Sequence, residues 1–201
     1  GLELSVGTID RCIREAGVAC FPVVDELIEH LQKENIVHLD ETPWKEKGAL
    51  KWMWVAVSCT IARYIIGTRK KEELLNLITE AFVGWLITDG YMAYRDYEKR
   101  QRCLAHLIRK AIALTGAVDK KAQKMGDWLL KELRGLIKTI ADGGEDSKKL
   151  CSPILARLKK ACNLGAKENH AKLKGLANEI LRDWDAVVAF VKNPDPPPTN
   201  N

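Results

Sequence analysis

The 201-residue chain has no apolar run that approaches the length of a membrane-spanning helix, and its first residues lack the basic-then-apolar pattern of a secretory signal. No membrane partner is therefore expected. Its six cysteines, Cys12, Cys20, Cys59, Cys103, Cys151 and Cys162, contain no C-x-x-C pair. That argues against a structural zinc site and for reduced thiols in a cytoplasmic protein. There is no internal repeat, and no dominant sign of charge: a net charge of +5 is compatible with a nucleic-acid partner without being diagnostic of one. Wholesale disorder is also excluded, since 46% hydrophobic and 29% charged residues describe an ordinary globular chain. An initiator methionine is missing, and the sequence closes on the proline-rich, polar stretch Asn193-Pro-Asp-Pro-Pro-Pro-Thr-Asn-Asn201. The expectation is a piece of a longer protein.

What is present changes period along the chain. Ser5 is placed to cap a short helix through Ile9, Cys12 and Ile13, interrupted near Gly17. A second helix is expected after Pro22, with Val23, Val24, Leu27, Ile28 and Leu31 at helical spacing. Residues 36–41, 51–59 and 63–67 are rich in β-branched and aromatic side chains, are separated by turn material such as Glu46-Lys-Gly48, and read as an antiparallel meander. Residues 70–82 read as a helix and 83–88 as a fourth strand. A strand reached through a helix is most simply parallel to a neighbour already in the sheet. From Leu104 onward the pattern is helical. Residues 120–141 carry one apolar stripe ended by Asp142-Gly-Gly-Glu145, a shorter amphipathic piece follows Pro153, and a longer one spans 166–191. The fold class is α/β, a mixed sheet with flanking helices and an all-helical appendage.

The sharpest chemical signal lies in two stretches, Ile36-Val-His-Leu-Asp-Glu-Thr-Pro-Trp44 and Leu86-Ile-Thr-Asp-Gly-Tyr-Met-Ala-Tyr94. In each, a strand-like apolar run ends on an aspartate, Asp40 and Asp89. Ionised carboxylates are costly to pack at strand ends unless a cation lies between them. Brought side by side at the carboxyl edge of parallel neighbours, they would suit Mg²⁺ or Mn²⁺ and phosphate chemistry. A lone aspartate at a strand end is more commonly a turn or cap residue.

The pieces His38-Leu-Asp-Glu-Thr-Pro43, Trp52-Met-Trp54, Thr88-Asp-Gly-Tyr-Met-Ala-Tyr94, Arg102-Cys-Leu-Ala-His106 with Arg109-Lys110, and Thr199-Asn-Asn201 occur in this order. Together with the opening Leu4-Ser-Val-Gly-Thr8 they resemble the central domain of the insertion-sequence-66 family of bacterial DDE transposases. That resemblance implies an RNase H-like core shared with retroviral integrases, with Asp40 and Asp89 as the first two acids and metal ligands of a DDE triad. It implies a two-metal Mg²⁺ or Mn²⁺ site in the complete protein. It also implies double-stranded DNA as partner (transposon ends and target), a homo-oligomer assembled on that DNA, and a cytoplasmic, nucleoid-associated location in a bacterium. In the family the third acid lies a few residues beyond an Asn-Asn pair, which places it after Asn201 and leaves residues 1–201 catalytically incomplete. Residues 1–35 are then a helical lead-in, 36–114 the catalytic core, 115–192 a helical insertion and 193–201 a tail leading toward the third acid.

Other polar residues rank below the two aspartates. Glu41 follows Asp40 and should point to the opposite strand face, although it is within possible reach of a metal or its surroundings. His106, Arg109 and Lys110 are candidates for contact with DNA or with the groups around the metal. Glu168 and Glu179 read as solvated faces or helix ion pairs. The tryptophans Trp44, Trp52 and Trp54 read as packing residues, and Cys103 as buried and inert. The basic runs Arg69-Lys-Lys71 and Lys99-Arg-Gln-Arg102 read as solvated, with backbone phosphates as the functional alternative. Two rival functions remain: a helical DNA-binding or dimerisation module with a vestigial acidic site, and an RNase H-like nuclease that does not transpose.

Overall fold

The computed structural model describes residues 3–144 and 146–200. Glu145 and Asn201, which figure in the readings of a helix end and of the Asn-Asn pair, lie outside the described residues. Three antiparallel strands, β1 (Ile36–Glu46), β2 (Ala49–Val57) and β3 (Ala62–Gly67), form the expected meander. The β1–β2 hairpin turns on Lys47 and Gly48, both at positive φ (49° and 81°), the pair of left-handed residues that a tight hairpin of the right twist requires. Helix α2 (Lys71–Leu77) then leads to β4 (Trp85–Thr88), which pairs in parallel with β1 as expected.

A fifth strand, β5 (Arg100–Arg102), was not visible in the sequence pattern. It extends the sheet in parallel beside β4, giving the order β3-β2-β1-β4-β5. A three-residue Arg-Gln-Arg strand has no apolar alternation to betray it. All three of its residues are buried, against the expectation that this basic run is solvated. Ion pairs to the helical region replace water around its guanidinium groups. This open mixed sheet with helices on its flanks and an additional all-helical region is the RNase H-like arrangement.

Two expectations about helices fail instructively. Helix α1 runs unbroken from Val6 to Leu31 through Gly17 and Pro22, with Ser5 as its cap as expected. An interior glycine costs only about 1 kcal/mol and a proline about 3 kcal/mol, which the remaining turns can offset. The helix stands clear of the core, burying only Leu31. At the other end, the single stripe expected over 166–191 is divided into α6 (Ala171–Arg182) and the short turns α7 (Trp184–Val187) and α8 (Ala189–Lys192).

Between them, α3 (Leu104–Thr115), α4 (Lys120–Ala141) and α5 (Ser147–Gly165) complete the helical region. Asp119 caps α4 by accepting N–H bonds from Lys121 (2.8 Å) and Ala122 (3.3 Å). Apolar burial is split into two clusters. One joins Val37, Leu39, Trp54, Leu77, Leu86 and Tyr94 under the sheet. The other joins Leu107, Leu129, Leu133, Leu158, Leu173 and Ile180 among α3 to α6. Among the described residues, no helix is long and apolar enough to cross a membrane.

Candidate metal centre

The registered pairs between β1 and β4 are Ile36 with Trp85, Val37 with Leu86 and His38 with Ile87. Two places further in the same register, Asp40 falls opposite Asp89. The sequence places both at strand ends, but only Asp89 lies just past one. β1 continues to Glu46 because its hairpin partner β2 supports it, with Thr42 opposite Met53 and Glu46 opposite Ala49. Asp40 instead marks the point where β1 loses its parallel neighbour, which also makes room for Pro43 without a missing ladder bond on that side. The two carboxylates meet in the crevice at the carboxyl end of β4, where open α/β sheets accept ligands.

Glu41 joins them. Carboxylate oxygens of Asp40, Glu41 and Asp89 lie within 4.8 Å of one another, all three residues being half-buried. Strand alternation does put Glu41 on the face of Val37 and Leu39, opposite Asp40. Its side chain reaches the crevice nonetheless, because the adjoining strand has ended there. Three carboxylates this close repel: a pair about 5 Å apart costs roughly 3 kcal/mol at an effective dielectric near 20. An all-oxygen donor set of this kind fits a hard divalent cation.

The surrounding groups fix each carboxylate separately. Asp40 accepts the Glu41 backbone N–H (3.0 Å) and Asp89 accepts that of Tyr91 (2.7 Å). Glu41, whose side chain is only 1% exposed, accepts the Tyr94 hydroxyl (2.6 Å) and an Arg69 N–H (2.8 Å). Burial raises the pKa of Glu41, the Asp89 charge adds to this, and the Tyr94 and Arg69 contacts only partly offset it. Burial and the Glu41 carboxylate push the Tyr94 phenol far above its ordinary range, so it remains a donor. Arg69 is clamped between the rings of Trp52 (4.0 Å) and Tyr91 (4.4 Å), an arrangement that suits a planar guanidinium. The first residue of the run Arg69-Lys-Lys71 is thus part of the acidic site. Of the tryptophans, Trp54 is fully buried and donates to the Thr68 carbonyl (2.8 Å), whereas Trp44 is exposed.

On the other side of Asp40, the proline-rich segment folds back against β1. Asn200 pairs with His38 Nδ1 (3.1 Å) and donates to the Leu39 carbonyl (3.4 Å), while its own N–H points to Cys103 Sγ (3.3 Å). Pro198 accepts the Leu104 N–H (2.8 Å) at the start of α3. A cavity of ≈ 620 Å³ opens here, with His38, Asp40 and Asn200 in its wall. Cys103 is fully buried, as expected. Burial pushes its thiol upward, but His106 and the Asn200 N–H outweigh it and leave its pKa below the ordinary value. His106 is half-buried and its pKa is raised, chiefly by Cys103, with a smaller contribution from Asp40. Arg109 is exposed, and Lys110 bonds Glu179 (2.7 Å and 2.9 Å).

Glu168 and Glu179 do not reach the cluster. Both form ion pairs between elements: Glu168 with Lys121 (2.8 Å), and Glu179 with Lys110 and with Arg102 (2.6 Å). Glu179 is only 14% exposed, so a solvated face is the wrong description for it. Arg102 in turn lies against Gly90, where an added Cβ would overlap its guanidinium and the Glu179 carboxylate. The sequence shows Arg69 and Arg102 only as members of basic runs, and Tyr94 and Asn200 only within longer motifs, without assigning any of them to the acidic site. The Gly90 position beside Asp89 was the one available hint of close packing there.

Comparison with family models matches the transposase IS66 family over residues 1–201. No curated protein matches the chain.

Proposed function

The chain belongs to the IS66 transposase family, and from that premise we propose that the crevice of Asp40 and Asp89 is its metal-dependent centre for cutting and joining DNA strands. By family it is a DDE transposase, a polynucleotidyl transferase. The observation that carries the site assignment is the meeting of the two aspartates from parallel neighbours, with Glu41 beside them. Asp40 and Asp89 are the ligands. Bound Mg²⁺ or Mn²⁺, as a pair in the complete site, supplies charge neutralisation at the reacting phosphate and activation of the attacking oxygen.

The chain's own residues do the positioning. The Glu41 and Tyr91 N–H groups bond one oxygen each of Asp40 and Asp89, which helps to orient the two carboxylates before a cation arrives. Tyr94 and Arg69 occupy both oxygens of Glu41, which holds its carboxyl group in place behind the ligands. Water attacks the scissile phosphorus in line and the P–O3′ bond breaks, freeing the 3′-OH of the transposon end; that hydroxyl then attacks a target phosphorus in line and displaces its 3′-oxygen. The partners are transposon ends and target duplex, with a homo-oligomer assembled on them in the bacterial nucleoid. His106, Arg109 and Lys110 sit on α3 beside the crevice and serve its surroundings, not its first coordination. Residues 36–114 form the catalytic part, 115–192 the helical insertion and 1–35 the lead-in.

Among the described residues only Asp40 on β1, Asp89 just past β4 and the engaged Glu41 stand at the centre. We place the third acid after Asn201, where the family's pattern beyond an Asn-Asn pair puts it; Asn200 itself is held against β1 by His38 and the Leu39 carbonyl. The test is nicking of a supercoiled plasmid in Mg²⁺ or Mn²⁺. Residues 1–201 alone should cut at background level, and a chain extended by a glutamate-bearing segment should cut in a manner abolished by Asp89→Ala. Robust cutting by residues 1–201 that Asp89→Ala abolishes would contradict this placement.

A further inference from the structure

Beside the metal centre, charge does not balance. Four guanidinium groups converge on one carboxylate, Asp183: Arg95 at 3.8 Å, Arg100 at 3.6 Å, Arg102 at 3.5 Å and Arg182 at 3.7 Å. The neighbouring Glu179 already takes Arg102 and Lys110. Five cations therefore share two carboxylates. All four approaches to Asp183 are longer than a hydrogen bond. Among the described residues, Arg95 Nε, Arg100 Nη1, Arg102 Nε and Arg102 Nη1 are buried without a hydrogen-bond acceptor, and Asp183 Oδ2 is buried without a donor, so four orphaned donors face one orphaned acceptor. Arg100 and Arg102 are 7% and 0% exposed, so their guanidinium groups are largely desolvated. Desolvated cations in excess of their anions are costly, and the cost falls when a further anion enters.

We propose that this cluster is a binding pocket for a phosphate of the DNA backbone, next to the phosphate that reacts. The proposal rests on the DNA-cleaving reading above and gives its site a second point of attachment. A groove of ≈ 410 Å³ runs from Asp89 and Gly90 to Arg95 and Arg182, so the acidic centre and the arginines share one wall. Arg95 and Arg182 are 33% and 49% exposed and can turn toward an entering oxyanion, while buried Arg100 and Arg102 supply the field beneath. Arginine suits this role because its planar fork pairs with two phosphate oxygens at once.

The experiment is duplex binding measured by fluorescence anisotropy across a salt series, for wild type, Arg95→Gln/Arg182→Gln and Lys131→Gln/Lys138→Gln. The last removes the same charge from exposed positions on α4. The arginine variant should bind about tenfold more weakly near 100 mM salt, with a log–log slope shallower by about 1, the signature of one lost phosphate contact. Its Mn²⁺ affinity should be unchanged. Equal losses in the two double variants, or an unchanged slope, would overturn the pocket while leaving the metal centre standing. Loss of Mn²⁺ affinity in the arginine variant would show that the arginines only support the fold, and would also overturn it. Tight binding of inorganic phosphate with an unaltered duplex slope would assign the cluster to a free oxyanion instead. Absence of salt-dependent duplex binding by wild type would remove both this pocket and the DNA-cleaving reading.

Discussion

Buried charge is handled differently in the two halves of the molecule. Within the helical region Glu132, 2% exposed, meets Arg157 with two contacts of 3.0 Å, a matched pair whose cation can also reach solvent. At the seam between that region and β5, Asp183 is ringed by four guanidinium groups, none at hydrogen-bonding distance. The first arrangement is complete in itself. The second is complete only with something added. A similar incompleteness holds at the crevice, where three carboxylates gather and, among the described residues, Arg69 is their direct counter-charge. An excess of negative charge and an excess of positive charge stand side by side, as the proposed action on a metal-bound phosphodiester requires.

Mutations can sharpen this contrast. The largest effect is expected from Asp183→Asn, which leaves the arginines without their shared anion and should cost about 3–5 kcal/mol. Glu132→Gln should cost only about 1–2 kcal/mol, since it removes charge-assisted hydrogen bonds but frees Arg157 to hydrate. Urea unfolding of the two variants measures the difference, and sulfate should recover part of the loss in Asp183→Asn alone. Equal losses would erase the distinction.

Next in size is Gly90→Ala. The new Cβ overlaps the Arg102–Glu179 pair, and since Arg102 is fully buried, the turn carrying Asp89 must give way instead. Overpacking of this kind costs about 1–3 kcal/mol. Calorimetric titration should show Mn²⁺ affinity falling with it, whereas Leu133→Ala in the helical cluster should destabilise without changing that affinity.

The smallest effect is a pH dependence. Burial pushes Glu179 upward, but Lys110 and Arg102 outweigh it and hold its pKa below the ordinary glutamate value. Folding therefore favours the ionised form. The resulting stability is fully present above the ordinary glutamate value and disappears as pH falls through the lowered one. Wild type should lose this increment in acid, and Glu179→Gln should show a flatter melting profile below the ordinary value.

Much of the sheet was legible because its strands are short runs rich in β-branched and aromatic side chains and its hairpin carries a Lys-Gly turn. Asp40 and Asp89 were legible because each closes such a run. β5 was not, since Arg100-Gln-Arg102 is stabilised by partners some eighty residues away: Gln101 accepts the Phe190 N–H (2.8 Å) and Arg102 pairs with Glu179. Glu41 was half legible. Alternation gives its face correctly but not the early end of β4, which opens its path to the crevice. The arginine ring around Asp183 was hidden for the same reason as β5, because charge balance at a seam depends on tertiary neighbours and not on local pattern.

The most direct test of the metal centre is Mn²⁺ titration of the 1–201 chain, followed by calorimetry, beside Asp40→Asn and Asp89→Asn. Wild type should bind Mn²⁺ weakly and saturably. Either substitution should abolish that binding while leaving the apo protein as stable as before, or more so, because a repelling carboxylate has been neutralised. Mn²⁺ binding that survives both substitutions would contradict the assignment of Asp40 and Asp89 as the metal ligands.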